Sequence, residues 1–148
     1  MAFEMKTEDI EFSLEIRGWQ QPSKENRSDD WCKCDLRVRV GDYLDYSVLD
    51  DEFLEFPDVV RFASCLEKLL CGKYFEDEFV CFTEPDLSFE LHPKTTLGSD
   101  ELDVCAELMI ALRRPDTNYN GAVLTLPLDR KDLEALQKYL NGVTNSAQ

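Results

Sequence analysis

The sequence predicts an α+β protein: a single domain over residues 1–148, one single antiparallel β-sheet, and two amphipathic helices packed mainly on one face of it. Three observations predict this. Most candidate strands alternate apolar and polar side chains, which gives a sheet one buried and one wet face. Neighbouring strands are joined by short turn sequences, which implies antiparallel pairing. Two stretches carry apolar residues at helical spacing, and two such helices are enough to cover one sheet.

Ile10, Phe12, Leu14 and Ile16 alternate with Glu11, Ser13, Glu15 and Arg17, a half-buried strand ended by Gly18 and Trp19. The polar stretch from Gln20 to Asp30 is expected to be an exposed loop. A second strand runs from about Trp31 to Val40, with Cys32, Cys34, Leu36, Val38 and Val40 on one side and Lys33, Asp35, Arg37 and Arg39 on the other. Gly41-Asp42 reads as a tight hairpin turn, and a third strand follows near Tyr43 to Leu49. Asp50, Asp51, Glu52 and Glu55 then form an acidic loop.

Pro57 opens the first helix, where its missing amide proton costs nothing, and Asp58 complements the helix dipole. Val59, Phe62, Ala63, Leu66, Leu69 and Leu70 make its core stripe, and Gly72 is placed to end it in a left-handed cap. Phe79 to Leu91 reads as two strands joined at Glu84-Pro85-Asp86, because proline cannot donate to a ladder and suits the second position of a turn. A loop is expected from His92 to Ser99. The longest strand follows, with Leu102, Val104, Ala106, Leu108, Ile110 and Leu112 on its buried side; apolar residues on the other side make it central. Asn118 to Gly121 turns the chain into a strand over about Ala122 to Leu128. Asp129 caps the last helix, Leu133, Leu136 and Leu140 face the core, and Gly142 ends it, so that the tail frays from about residue 143.

Composition limits what this domain does. At 43% hydrophobic and 11% aromatic the chain is globular rather than disordered. Thirty-one acidic residues against sixteen basic ones give a formal charge of -15. That balance argues against nucleic acid, whose phosphates must be neutralised, and against an anionic membrane. It fits a basic protein partner, steered by opposite fields, or simply a soluble acidic protein. The amino terminus carries acids and no apolar run, so no signal peptide is expected, and no stretch is apolar enough to span a bilayer.

Cys32, Cys34, Cys65, Cys71, Cys81 and Cys105 include no C-x-x-C pair, which argues against a metal and for small buried hydrophobes in a reduced, cytoplasmic protein. No phosphate loop or dinucleotide fingerprint is present, and no cofactor is expected. Glu84, Asp86 and Glu90 lie close in sequence, but a turn acid and a solvated strand face explain them better than a cation site, which needs several converging oxygens. Ser88, Glu90 and His92 share one side of a strand at a spacing of about 7 Å, too far for a catalytic triad. No enzyme activity is expected.

The acidic runs are the one feature that suggests a surface. Asp42 to Asp58 includes Asp42, Asp45, Asp50, Asp51, Glu52 and Glu55 with no base, and Glu76, Asp77 and Glu78 open a second run. They form either one negative interface or a solvated edge that stops the sheet pairing with itself.

Phe82-Thr83-Glu84-Pro85-Asp86-Leu87-Ser88-Phe89 resembles the F-x-E-P-x-L-x-F signature of the WapI-family immunity proteins of bacterial contact-dependent toxin systems. Gly18-Trp19 and Asp30-Trp31 resemble two further family positions, while Cys32 stands where the family commonly has an apolar residue such as Leu. The resemblance implies a cytoplasmic protein that binds and neutralises the C-terminal domain of a cognate toxin, often a nuclease with a basic cleft. The alternative is an acidic adaptor, or an inhibitor of another basic protein such as a phage-defence component.

Overall fold

The computed structural model describes residues 1–20, 25–72, 78–81, 87–95, 104–113 and 120–145. The elements are β1 (Phe3–Lys6), β2 (Ile10–Trp19), β3 (Trp31–Val40), β4 (Leu44–Glu55), α1 (Phe56–Leu70), β5 (Glu78–Cys81), β6 (Leu87–Thr95), β7 (Val104–Arg113), β8 (Asn120–Leu128) and α2 (Arg130–Asn145). The α+β class and the antiparallel pairing are as expected. The strands, however, divide among the described residues into two four-stranded meanders, β1-β2-β3-β4 and β5-β6-β7-β8, instead of one sheet. The 15 residues of α1 carry the chain about 22 Å between β4 and β5, which leaves β5 to open a second sheet.

The period of two is kept through the first sheet. Phe12 faces Val38, Leu14 faces Leu36 and Ile16 faces Cys34, all of them buried. β1 is an addition to the expected order. Phe3 and Met5 are buried opposite Leu14 and Phe12, and Glu4 and Lys6 point outward. In the second sheet Leu108 and Ile110 on β7 meet Leu126 and Leu124 on β8, and β7 lies between β6 and β8 as expected of a central strand.

The two helices pack on each other. α1 also touches β4 and β5, and α2 touches β1, β7 and β8. The helix pair thereby ties both sheets into one continuous core that includes Leu66, Leu69, Leu133, Leu136 and Leu140. Full burial of one such leucine stabilises by about 1.5–3 kcal/mol.

Several boundaries differ from expectation, each for a local reason. β4, not β7, is the longest strand, and it runs through Asp50–Glu55, because Phe53 and Leu54 are both buried and anchor its second half. β4 absorbs one extra residue against β3 on each side of Asp51, and Asp50 takes φ 56° in the second bulge. β6 continues to Thr95, through His92 and Pro93. Among the described residues β5 ends its pairing at Leu91, so past it β6 is an edge on that side, a place where proline is tolerated. α2 continues through Gly142 to Asn145 instead of fraying from 143, with the Thr144 hydroxyl donating to the carbonyls of Leu140 and Asn141. Asn120 and Gly121 belong to β8; the rest of that expected turn, and the Glu84-Pro85-Asp86 turn, lie outside the described residues.

The start of α2 and the end of α1 follow the sequence. The Asp129 and Asp132 side chains cap each other's amides reciprocally at 2.8 and 3.2 Å. Gly72, at φ 67°, donates to the carbonyl of Leu69 beyond the last turn of α1. No described helix is long and apolar enough to cross a membrane.

Candidate functional site

The outer face of the first sheet is not covered by either helix, because α1 and α2 pack on the side of the buried alternates. Its exposed rows follow from the register. Glu11, Arg39 and Asp45 lie side by side across β2, β3 and β4, and Ser13, Arg37 and Ser47 form the next row. Glu15 faces Asp35 beyond them.

Most charge on this face is paired. Lys6 reaches Glu11 at 2.6 Å and Arg39 reaches the same carboxylate at 2.8 Å. The lysine hydrogen bond first, and the arginine after it, hold the Glu11 carboxyl below its usual range. Arg17 bridges Asp35 at 2.7 Å and Asp50 at 3.0 Å, with Lys33 3.5 Å from Asp50. The Asp50 backbone amide donates to Asp35 Oδ1 at 2.7 Å, so the left-handed turn of the bulge is held by the same carboxylate that holds Arg17.

The expected interface acids fall into three places. Asp42 and Asp45 sit at the β3–β4 hairpin, where with Glu8, Asp9, Glu11 and Arg39 they line a shallow depression. Asp50, Asp51 and Glu52 cluster at the bulge, and Glu55 is half-buried directly before α1. Glu78 opens β5 in register with Leu91, while Glu76 and Asp77 lie outside the described residues. β4 and β5 are edge strands of different sheets, both touched by α1. Among the described residues Asp42, Asp45, Asp51 and Glu52 make no ion pair, whereas Asp50 spends its charge on Arg17 and Lys33. The hairpin and bulge also carry exposed apolar groups, Tyr43 at 83% and Leu49 at 52% exposure.

A second cluster, missed by pattern reading, lies where the loop before β3 meets α1. Arg27 Nε donates to Asp30 Oδ2 at 2.7 Å; its Nη2 lies 2.6 Å from the same oxygen, out of line for a hydrogen bond. The guanidinium carbon is 3.4 Å from the Phe56 ring centroid and 5.4 Å from that of Trp19, and the two rings meet edge to face. The Asp30 carbonyl accepts the Phe56 amide at 2.8 Å. Asp30 is buried, so this is a structural clamp that joins the loop to the start of α1. Its only sequence signal is Trp19, Asp30-Trp31 and Phe56 standing at element ends.

The described thiols differ in burial. Cys32 and Cys34 are fully buried with their sulfurs 3.2 Å apart, and that contact, with burial added, pushes the Cys34 thiol far up. Cys65 is also buried and Cys71 exposed. His92 lies within β6 opposite Glu107. Among the described residues no group of His, Cys, Asp and Glu is placed to hold a metal ion.

A family model described as the Immunity protein WapI-like family matches residues 3–147, nearly the whole chain. No curated protein is matched.

Proposed function

Since the chain belongs to the WapI-like immunity protein family, we propose that it binds the C-terminal domain of a cognate bacterial toxin and blocks it by occlusion, without making or breaking a bond. The observation that carries this is the family match. The surface is read from the charge: Asp42, Asp45, Asp51 and Glu52 are exposed and unpaired among the described residues, on a chain of formal charge -15.

In this reading the exposed acids of β4 meet a basic toxin surface, such as the phosphate-binding cleft of a nuclease. Glu55, Glu76, Asp77 and Glu78 belong to the contact as the acidic runs of the sequence suggest, and Asp50 holds the bulge in shape rather than touching the partner. Opposite fields raise the encounter rate, and salt screens them. The reduced thiols fit a cytoplasmic site of action.

The test is to express the chain with the C-terminal domain of the toxin encoded beside it. A co-purifying complex, with an association rate that falls steeply between low and high salt, is expected. No complex at any salt removes the immunity reading; a salt-independent rate removes only its electrostatic part.

A further inference from the structure

We infer that Arg37, with Ser13 and Ser47 on either side of it, receives a carboxylate from the toxin domain when the outer face of the first sheet is covered. The inference rests on the immunity reading and names a contact within it.

Arg37 stands apart from the other cations of that face. Lys6 and Arg39 are tied to Glu11, and Arg17 and Lys33 to Asp50. Arg37 makes no ion pair with any described residue, although the chain has nearly twice as many acids as bases. Its lateral neighbours are not carboxylates. The ladder puts Ser13 directly opposite it on β2 and Ser47 directly opposite on β4. Neither hydroxyl bonds another described side chain.

Directly paired residues have Cβ atoms about 5 Å apart, so the three form a row about 10 Å long. A guanidinium fork between two hydroxyls suits the two oxygens of one carboxylate. Ser13 and Arg37 line a shallow depression with Glu4, Lys6, Asp45 and Ser47, which gives such a group a place to enter.

The surroundings select the occupant. Glu11 and Asp45 flank the next row on one side, and Glu15 and Asp35 lie on the other. Glu11, Glu15 and Asp35 are each paired with a cation, which among the described residues leaves Arg37 as the cation of this face without an ion pair and Glu4 and Asp45 as the nearby acids without one. A carboxylate set among lysines and arginines on a protein surface complements all three, its own charge meeting Arg37 and its neighbours meeting Glu4 and Asp45. Docking would shield the contact from water, the setting in which an interface arginine matters most.

Binding of the toxin's C-terminal domain, followed by calorimetry beside thermal unfolding of each variant, tests this. Arg37→Ala is expected to weaken binding by at least about 30-fold. The melting temperature stays unchanged, because no internal pair is lost. Arg37→Lys regains less than about tenfold, since an ammonium lacks the fork. Lys138→Ala, which removes an exposed charge on α2, leaves affinity within about twofold. Ser13→Ala with Ser47→Ala weakens binding by roughly tenfold, from two lost hydrogen bonds, and decides the matter should Arg37→Ala disturb folding. Wild-type affinity in the Arg37→Ala and double-serine variants overturns the inference and leaves the immunity reading standing. A toxin domain that ignores the wild-type chain overturns both.

Discussion

The Tyr139 hydroxyl on α2 accepts the backbone amide of Ile16 on β2 at 2.7 Å, across 123 residues of sequence. β1 pairs β2 only as far as Leu14, so this amide lies beyond its reach and takes its partner from the helix. Tyr139→Phe leaves a buried donor unsatisfied and is expected to cost about 1–3 kcal/mol in urea unfolding.

The same residue makes a pH prediction. Burial, offset in part by the Ile16 hydrogen bond, raises the Tyr139 phenol above its ordinary value of 10.0. Below that value both folded and unfolded chains keep the proton. Above it the unfolded chain loses the proton first, so folding stability falls as pH rises through and past 10.0. Denaturation curves from neutral to strongly alkaline pH are expected to show this fall weakened in Tyr139→Phe.

Arg27→Ala removes the guanidinium from a fully buried carboxylate and from the Phe56 ring. A loss of about 3–5 kcal/mol is expected. Asp30→Asn, which removes the buried charge but keeps the shape, is expected to cost less. Chemical denaturation of both variants ranks them; equal costs would show that the charge on Asp30 does not set the penalty.

At the bulge, Asp50→Ala keeps the left-handed backbone without glycine's freedom, while Asp50→Gly relieves it. Both lose the exposed pairs to Arg17 and Lys33, so that loss cancels in the comparison. The alanine variant is expected to be about 1 kcal/mol less stable than the glycine variant.

Gly142 lies in the interior of α2, and nothing stands within 4 Å of where a Cβ would go. Gly142→Ala is expected to stabilise the chain by about 1 kcal/mol, read as a raised melting temperature.

If β4 carries the toxin contact, Asp51→Lys with Glu52→Lys slows association more than Asp50→Lys alone, measured as an on-rate at low salt. The reverse order would mean that the shape of the bulge matters more than its free charge.

The elements visible in the sequence were those whose pattern is local. The alternation of Phe12, Leu14 and Ile16, the helical stripe of α1 and the Asp129 cap all appear where the residues alone put them. The second half of β4 was hidden because acids are poor strand formers and two bulges break the period; only the distant partners of Phe53 and Leu54 settle it. The split into two sheets depends on which strands meet after α1, and no local pattern encodes that. Of the expected interface, Asp45, Asp50, Asp51 and Glu52 on β4 are exposed and Glu55 is half-buried, and Asp50 is neutralised by cations from β2 and β3. The Arg37 row needs the register of three strands before it can be seen at all.

The aromatic clamp has an optical consequence. The chain has two tryptophans, Trp19 at the end of β2 and Trp31 at the start of β3, and the amide of Gln20 donates to the carbonyl of Trp31. The Trp19 indole therefore watches this corner, beside Arg27 and Phe56, and the Trp31 backbone stands at the same end of the sheet. Intrinsic fluorescence reports when that corner opens, while far-ultraviolet dichroism reports the whole backbone. The gap between the two melting curves measures how far the clamp loosens before the rest of the chain unfolds.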